Sequence, residues 1–221
     1  LLIFIVTYPV LLISITFHEF AHAFSANKLG DPTAKYLGRL TLNPLAHIDL
    51  FGTVILPVMM ALTSIPLIGW AKPVPVNPVN FRYLRRDMAI VSFAGPASNF
   101  ILVILSYILI WIFTLATSKV DFQESNGILI LSLVLYFLPL INIFLMLFNL
   151  IPIPPLDGAD ILRHFLSISA EEKYDRIFSN QIINFIIILV LANTLFGIVA
   201  AIVQGIFNLL IPNDFMYIVS E

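Results

Sequence analysis

Residues 88–116, 127–151 and 181–211 are apolar from end to end, and residues 1–28 are nearly so. These runs limit the chain more than any other feature. At about 1.5 Å per residue, roughly 20 apolar residues cross the hydrocarbon core of a bilayer. In lipid each backbone N–H and C=O must be satisfied within the protein, which for runs of this length means helices. Composition agrees: 60% of the 221 residues are hydrophobic and 11% charged, against about 25% charged in soluble domains. The expectation is an all-α polytopic membrane protein, a transmembrane helix bundle with no room for a sizeable soluble domain. The first run lacks a basic leader and a small-residue cleavage site and reads as a retained helix. The chain has no cysteine, so a metal would have to be held by His and carboxylate. No nucleic-acid partner is expected; the partner implied by composition is the lipid bilayer.

Between the runs lie segments with their own signatures. Gly30-Asp31-Pro32 stops the first helix, with Gly at the cap and Pro beyond it. Residues 50–68 are apolar but contain Gly52, Pro57 and Pro66. In "KPVPVN", Pro73 and Pro75 leave one edge without N–H donors while Val74 and Val76 keep theirs on the other. That suits a small membrane-associated β element or a Pro-rich connector. Residues 159–180 hold most of the remaining charge and read as an amphipathic, interfacial helix. Residues 181–211 read as one tilted helix or two pieces broken near Asn193 and Gly197. The whole, 1–221, reads as a single domain with a core over about 1–165 and a C-terminal transmembrane region over about 181–211.

The basic residues orient this arrangement. Lys28, Lys35 and Arg39 follow the first helix; Lys72, Arg82, Arg85 and Arg86 precede the span at 88–116; Arg163, Lys173 and Arg176 follow "LDG". If residues 50–68 are re-entrant and do not cross, all of these share one side and only Lys119 lies opposite. By the positive-inside rule the shared side is the cytoplasm.

"HEFAH" interrupts the first apolar run. His18 and His22 are spaced i, i+4 and leave one helix face, the spacing of two zinc ligands. Glu19 sits beside them, off the ligand line, where it can accept a proton; H-E-x-x-H on a helix is a metalloprotease signature. Such a histidine pair can also be satisfied by backbone or water inside a bundle. A catalytic zinc needs a third protein ligand. Asp157, after Pro152, Pro154 and Pro155 and before Gly158, is the acidic residue that the span order returns to the same side. It reads either as that ligand or as a turn or helix-capping residue.

"HEFAH", "AGPASNF" and "NLIPIPPLDG" resemble, in order and spacing, the site-2 proteases, which are intramembrane zinc metalloproteases. "GRLTLNPLAHID" and "GWAKPVPVN" resemble the compact bacterial and archaeal branch without PDZ or CBS domains. The resemblance covers residues 14 to about 165. It implies one Zn2+ per chain held by His18, His22 and Asp157, with Glu19 as general acid/base. It implies that Asn149 lies near the substrate carbonyl or oxyanion. The family's G-P-x-x-N motif falls on Gly95, Pro96 and Asn99, which would shape helix contacts. The implied activity is cleavage within or near the membrane segment of a transmembrane protein or peptide, in a prokaryotic cell membrane, with the active site towards the cytoplasm. From the residues alone, Asn99 and Asn149 also read as interhelical hydrogen-bonding groups, His47 as helix-starting or cavity-facing, and His164 as interfacial. A metal-ion transporter would need further polar sites across the membrane, whereas here they cluster near one face. A catalytically silent scaffold has no use for Glu19.

Overall fold

The computed structural model describes residues 2–57, 59, 71–117, 126–210 and 215. Seven α-helices occur among them: α1 (Leu2–Lys28), α2 (Thr33–Tyr36), α3 (Leu84–Thr117), α4 (Asn126–Asn149), α5 (Asp157–Phe165), α6 (Ile168–Ile177) and α7 (Gln181–Leu210). Three of these, α1, α3 and α4, are long and apolar enough to cross a membrane; α6 with the first part of α7, bent by 83°, is a fourth candidate. Pro9, Pro96 and Pro139 lie inside the three spans, as is tolerated where neighbouring helices satisfy the freed backbone groups.

Helix α1 ends as its sequence requires. The Leu29 amide donates to the Ser25 carbonyl and that of Asp31 to Ala26. Gly30 takes φ 110°, a conformation side chains oppose. Asp49 starts the π-helical turn Leu50–Ile55 by accepting from the Phe51 and Gly52 amides. Residues 58 and 60–70, most of the segment expected to be re-entrant, lie outside the described residues. Residues 71–77 have no regular secondary structure and no strand pairs with them among the described residues, which fits the Pro-rich connector rather than the β element of the two readings. Helix α3 begins at Leu84, four residues before the apolar run, because Asp87 turns back to accept from the Tyr83 amide at 2.9 Å.

The spans α1, α3 and α4 pack against one another, and their direction follows from which residues meet. His22 of α1 reaches Val91 of α3, and His18 and Ser14 reach Asn99 further along it; α1 and α3 are therefore antiparallel. Val103, Ile110, Leu135, Ile143, Val199 and Val203 form the main apolar core between α3, α4 and α7. Ser14, Asn99, Ser106, Ser132 and Asn142 are fully buried among the helices; Ser14, Asn99 and Asn142 bond one another across α1, α3 and α4, as suits lipid, which offers no partners, while Ser106 and Ser132 donate to carbonyls of their own helices. Large apolar side chains such as Ile101, Leu105, Ile108 and Ile112 face outward, as lipid contact requires.

The charged stretch expected as one helix over 159–180 is two. Ser167 accepts from the Ala170 amide and starts α6 afresh. Arg163 joins the pair by bonding Asp160 and Asp175, and Arg85 ties both to the start of α3 through the Leu166 carbonyl and Glu171. Helix α7 runs unbroken through Asn193 and Gly197, so the expected alternative of two pieces is not adopted.

Candidate metal centre

The i, i+4 spacing on α1 places His18 and His22 side by side, 6% and 8% exposed, with their Nε2 atoms 3.0 Å apart. Asp157 comes to them from the far end of the core. After α4 the prolines force tight turns, in which the Ile153 amide bonds the Ile151 carbonyl and that of Leu156 bonds Ile153. Helix α5 then opens at Asp157 itself. Leu156 is its N-cap and makes no side-chain cap, so Asp157 is not the capping residue. Its Oδ2 instead lies 3.2 Å from His18 Nε2 and 3.4 Å from His22 Nε2.

The other ring nitrogens decide what these three atoms can bind. His18 Nδ1 donates to Asn99 Oδ1 and His22 Nδ1 to the Val91 carbonyl, each at 2.7 Å. A carbonyl oxygen can only accept, so both protons sit on Nδ1 and both Nε2 atoms present lone pairs. Asp157 Oδ2 is buried and has no hydrogen-bond partner. Three ligand-type atoms thus converge within 4.8 Å, with the Nδ1 proton of each imidazole turned away from them. That is a donor set for a cation, and two imidazoles with a carboxylate are a zinc-type set.

Two glycines allow the convergence by steric absence. A Cβ on Gly95 would stand 2.5 Å from His22 Cε1 and 2.6 Å from His18 Cε1; α3 can pass beside the imidazoles only without it. A Cβ on Gly158 would stand 2.5 Å from the Leu150 carbonyl carbon and 2.6 Å from the Ile151 oxygen, so glycine there lets α5 tuck under the turn that delivers Asp157. Pro96 is buried in α3 beside Gly95.

Glu19, next to His18 on α1, is held by a strap. The segment 71–77 lies against α1, and the Val74 amide donates to Glu19 Oε2 at 2.8 Å. This N–H, expected on a free pairing edge, is therefore occupied. The strap has three further anchors. Arg39 bonds the Lys72 and Pro73 carbonyls, the Lys72 amide bonds the His47 carbonyl at 3.0 Å, and Asp31 accepts from the Asn77 amide and from Asn80 Nδ2, both at 2.7 Å. His47 ends a short 3-10 turn and does not start a helix; its Nε2 bonds the Thr41 carbonyl at 2.9 Å. Asn149 Nδ2 donates to Leu145 of its own helix at 2.9 Å.

Sequence reasoning missed the Val91 carbonyl, the Glu19 partner of the Val74 amide, and Asn142. The first two rest on main-chain groups, which no residue type advertises. An amide alone in the apolar run of α4 was the available signal for Asn142.

The family model of peptidase family M50 matches residues 6–194. "Putative zinc metalloprotease YwhC" of Bacillus subtilis (strain 168) is 38% identical over 180 residues, 81% of this chain and 78% of the relative. "Putative zinc metalloprotease Rip2" of Mycobacterium tuberculosis (strain H37Rv) is 31% identical over 199 residues, 90% of this chain and 71% of the relative. The Mycolicibacterium smegmatis protein of the same name is 31% identical over 166 residues, and the match spans 75% of this chain and 59% of that relative. No solved structure matches the chain.

Proposed function

The chain belongs to peptidase family M50, the site-2 protease family, and from that premise we propose that His18, His22 and Asp157 hold one zinc ion per chain while Glu19 serves as general acid and base in an H-E-x-x-H protease. The protein is an intramembrane zinc metalloprotease acting on membrane-embedded substrates in a lipid bilayer. What carries the residue assignment is the set of three facing acceptors, with both Nδ1 protons turned away and Asp157 Oδ2 unpartnered.

Zinc held by His18, His22 and Asp157 would supply Lewis acidity towards the scissile carbonyl and towards water. The chain's own groups do the rest. Glu19 Oε2 is held by Val74, leaving Oε1 to accept a proton and hand it to the leaving amine. Asn149, at the end of α4, is assigned to the substrate carbonyl and would have to release Leu145 to reach it. A substrate helix hides its peptide groups in its own hydrogen bonds, so it must unwind before cleavage within or near its membrane segment. The end of the bundle holding the site is read as cytoplasmic, supported by the basic residues at the α1 terminus, before α3 and along α5 and α6.

Metal analysis of purified wild type, His18→Ala, His22→Ala, Asp157→Asn and Glu19→Gln, with cleavage of a single-span substrate in liposomes, tests the assignment. About one zinc per chain is expected in wild type and Glu19→Gln, with proteolysis lost in the latter. Wild-type zinc affinity and activity in Asp157→Asn would place the third ligand elsewhere.

A further inference from the structure

Behind His18 a chain of amides runs from α1 through α3 to α4, all of it fully buried: Ser14, Asn99 and Asn142 are each 0% exposed. His18 Nδ1 bonds Asn99 Oδ1 at 2.7 Å. Asn99 Nδ2 donates to Asn142 Oδ1 at 2.8 Å and reaches the Ser14 carbonyl at 3.5 Å. Asn142 Nδ2 donates to the Leu138 carbonyl at 2.8 Å and to Ser14 Oγ at 2.9 Å. Ser14 Oγ in turn donates to the Val10 carbonyl at 2.8 Å.

Which end of an amide points where is fixed here by its partners. The Leu138 carbonyl only accepts, so Asn142 must turn its Nδ2 to it, and its Oδ1 then faces Asn99. Asn99 must answer with Nδ2, which leaves its Oδ1 facing the imidazole. His18 must then carry its proton on Nδ1. The Nε2 lone pair at the metal centre is thus set by a backbone carbonyl two amides away. His22 needs no such chain, because the Val91 carbonyl sets its proton directly.

We propose that Asn142 is a positioning residue for the metal centre: by dictating the orientation of Asn99 it holds His18 in the tautomer that binds metal. In its functional consequence this rests on the zinc reading above. Without Asn142 only the long 3.5 Å contact to the Ser14 carbonyl still orients the Asn99 amide, so it can turn over and present Nδ2 to the ring, which would favour the opposite tautomer and place a proton on Nε2. A ligand lost to the wrong tautomer for part of the time weakens the site without removing any ligand.

The chain has four histidines, so 15N-histidine labelling of the metal-free protein in detergent reads each tautomer from its ring couplings. Wild type should show His18 and His22 protonated at Nδ1. Asn142→Leu should turn His18 into a mixture, leave His22 unchanged, and weaken zinc in chelator competition by about tenfold, the low end for groups that orient metal ligands. Asn99→Asp in the Asn142→Leu background should restore zinc affinity, because a carboxylate has no donor end to present wrongly. If Asn142→Leu does not fold, Asn142→Ala, too short to reach Asn99, gives the same readouts. A pure Nδ1–H tautomer at His18 with unchanged zinc affinity in either folded variant overturns the proposal, as does failure of Asn99→Asp to rescue. Because the tautomers are read without metal, a wild type that takes up no zinc would remove the zinc reading and leave this inference to be decided by the spectra.

Discussion

A single methyl group at Gly95 would collide with both imidazoles of the proposed metal centre. Nothing in the residue's own backbone demands glycine; the demand comes from the two imidazoles across the α1–α3 contact. Gly95→Ala should therefore act on metal binding. Overpacking of this kind costs about 1–3 kcal/mol, equivalent to roughly a 5- to 150-fold loss of zinc affinity if it is relieved by moving the ligands. Equilibrium zinc competition on purified protein measures it. Gly197→Ala is the matched control: its Cβ would meet nothing within 4 Å, and alanine is the better helix former, so zinc affinity and stability should not fall. Equal zinc affinity in Gly95→Ala and wild type would mean that α3 has room to retreat from the site. The sequence marked Gly95 through its motif; which atoms it makes way for was legible only once α1 and α3 were side by side.

The strap over 71–77 is an element without regular structure, and its hydrogen bonds say what it does. Val74 gives its N–H to Glu19, while Val76 gives its own to no acceptor among the described residues and packs its side chain beside Ala26, Phe81 and Val91. The two valines, equivalent in sequence pattern, should thus respond differently to proline. Val74→Pro is expected to slow cleavage by about 10- to 150-fold, in line with about 1.5–3 kcal/mol for a hydrogen bond to a charged group, and to keep its zinc. Val76→Pro should be milder, and Val74→Ala milder still. Cleavage rates and bound zinc, measured together, decide it; equal loss in both proline variants would favour strand addition by substrate over the Glu19 contact. The far end of the strap depends on Asp31. Burial pushes its carboxyl up, but hydrogen bonds from Thr33, Asn77 and Asn80 outweigh burial and hold it below the ordinary carboxylate range. A depressed native pKa means that the unfolded chain takes up the proton first. The contribution is full above the unfolded value of 3.8 and is lost as pH falls through the lower native value. Asp31→Asn should therefore melt below wild type at pH 7, with the gap closing towards pH 3. A gap independent of pH would show that the charge is not what holds the strap.

At the scale of the whole molecule, the centre exists because three chain segments end at the same level of the bundle. Helix α1 delivers His18 and His22, α3 descends past them from Val91 to Asn99, and α4 returns the chain to Asp157. The proposed orientation is tested by cysteine labelling, which is clean because the chain has no cysteine of its own. Single cysteines at positions 35, 80 and 173 should react with an impermeant reagent only after the cells are opened. Labelling of position 80 in intact cells would mean that the segment before it crosses the membrane. Chelator treatment should abolish cleavage, and added zinc should restore it without a large change in helix content, since the bundle is held by apolar and amide contacts independent of the metal.

The order of spans, the stop at Gly30, the histidine pair and the candidate third ligand were all determined by sequence, because they depend on local periods and on residues whose chemistry is rare in lipid. Leu84 as the start of α3, the break at Ser167 and the unbroken passage of α7 through Gly197 were not, since a capping bond or open space around a glycine is a property of neighbours. Whether Asp157 caps a helix or joins the histidines was open in one dimension; in three, Leu156 is the N-cap and Asp157 Oδ2 faces two imidazoles that lie well over a hundred residues away in sequence. The Val74 amide on Glu19, the Val91 carbonyl on His22 and the amide chain through Asn142 belong wholly to the tertiary structure. Two of them are main-chain groups that every residue carries, and the third acts through which end of an amide faces which partner, a choice made only when α1, α3 and α4 are packed together.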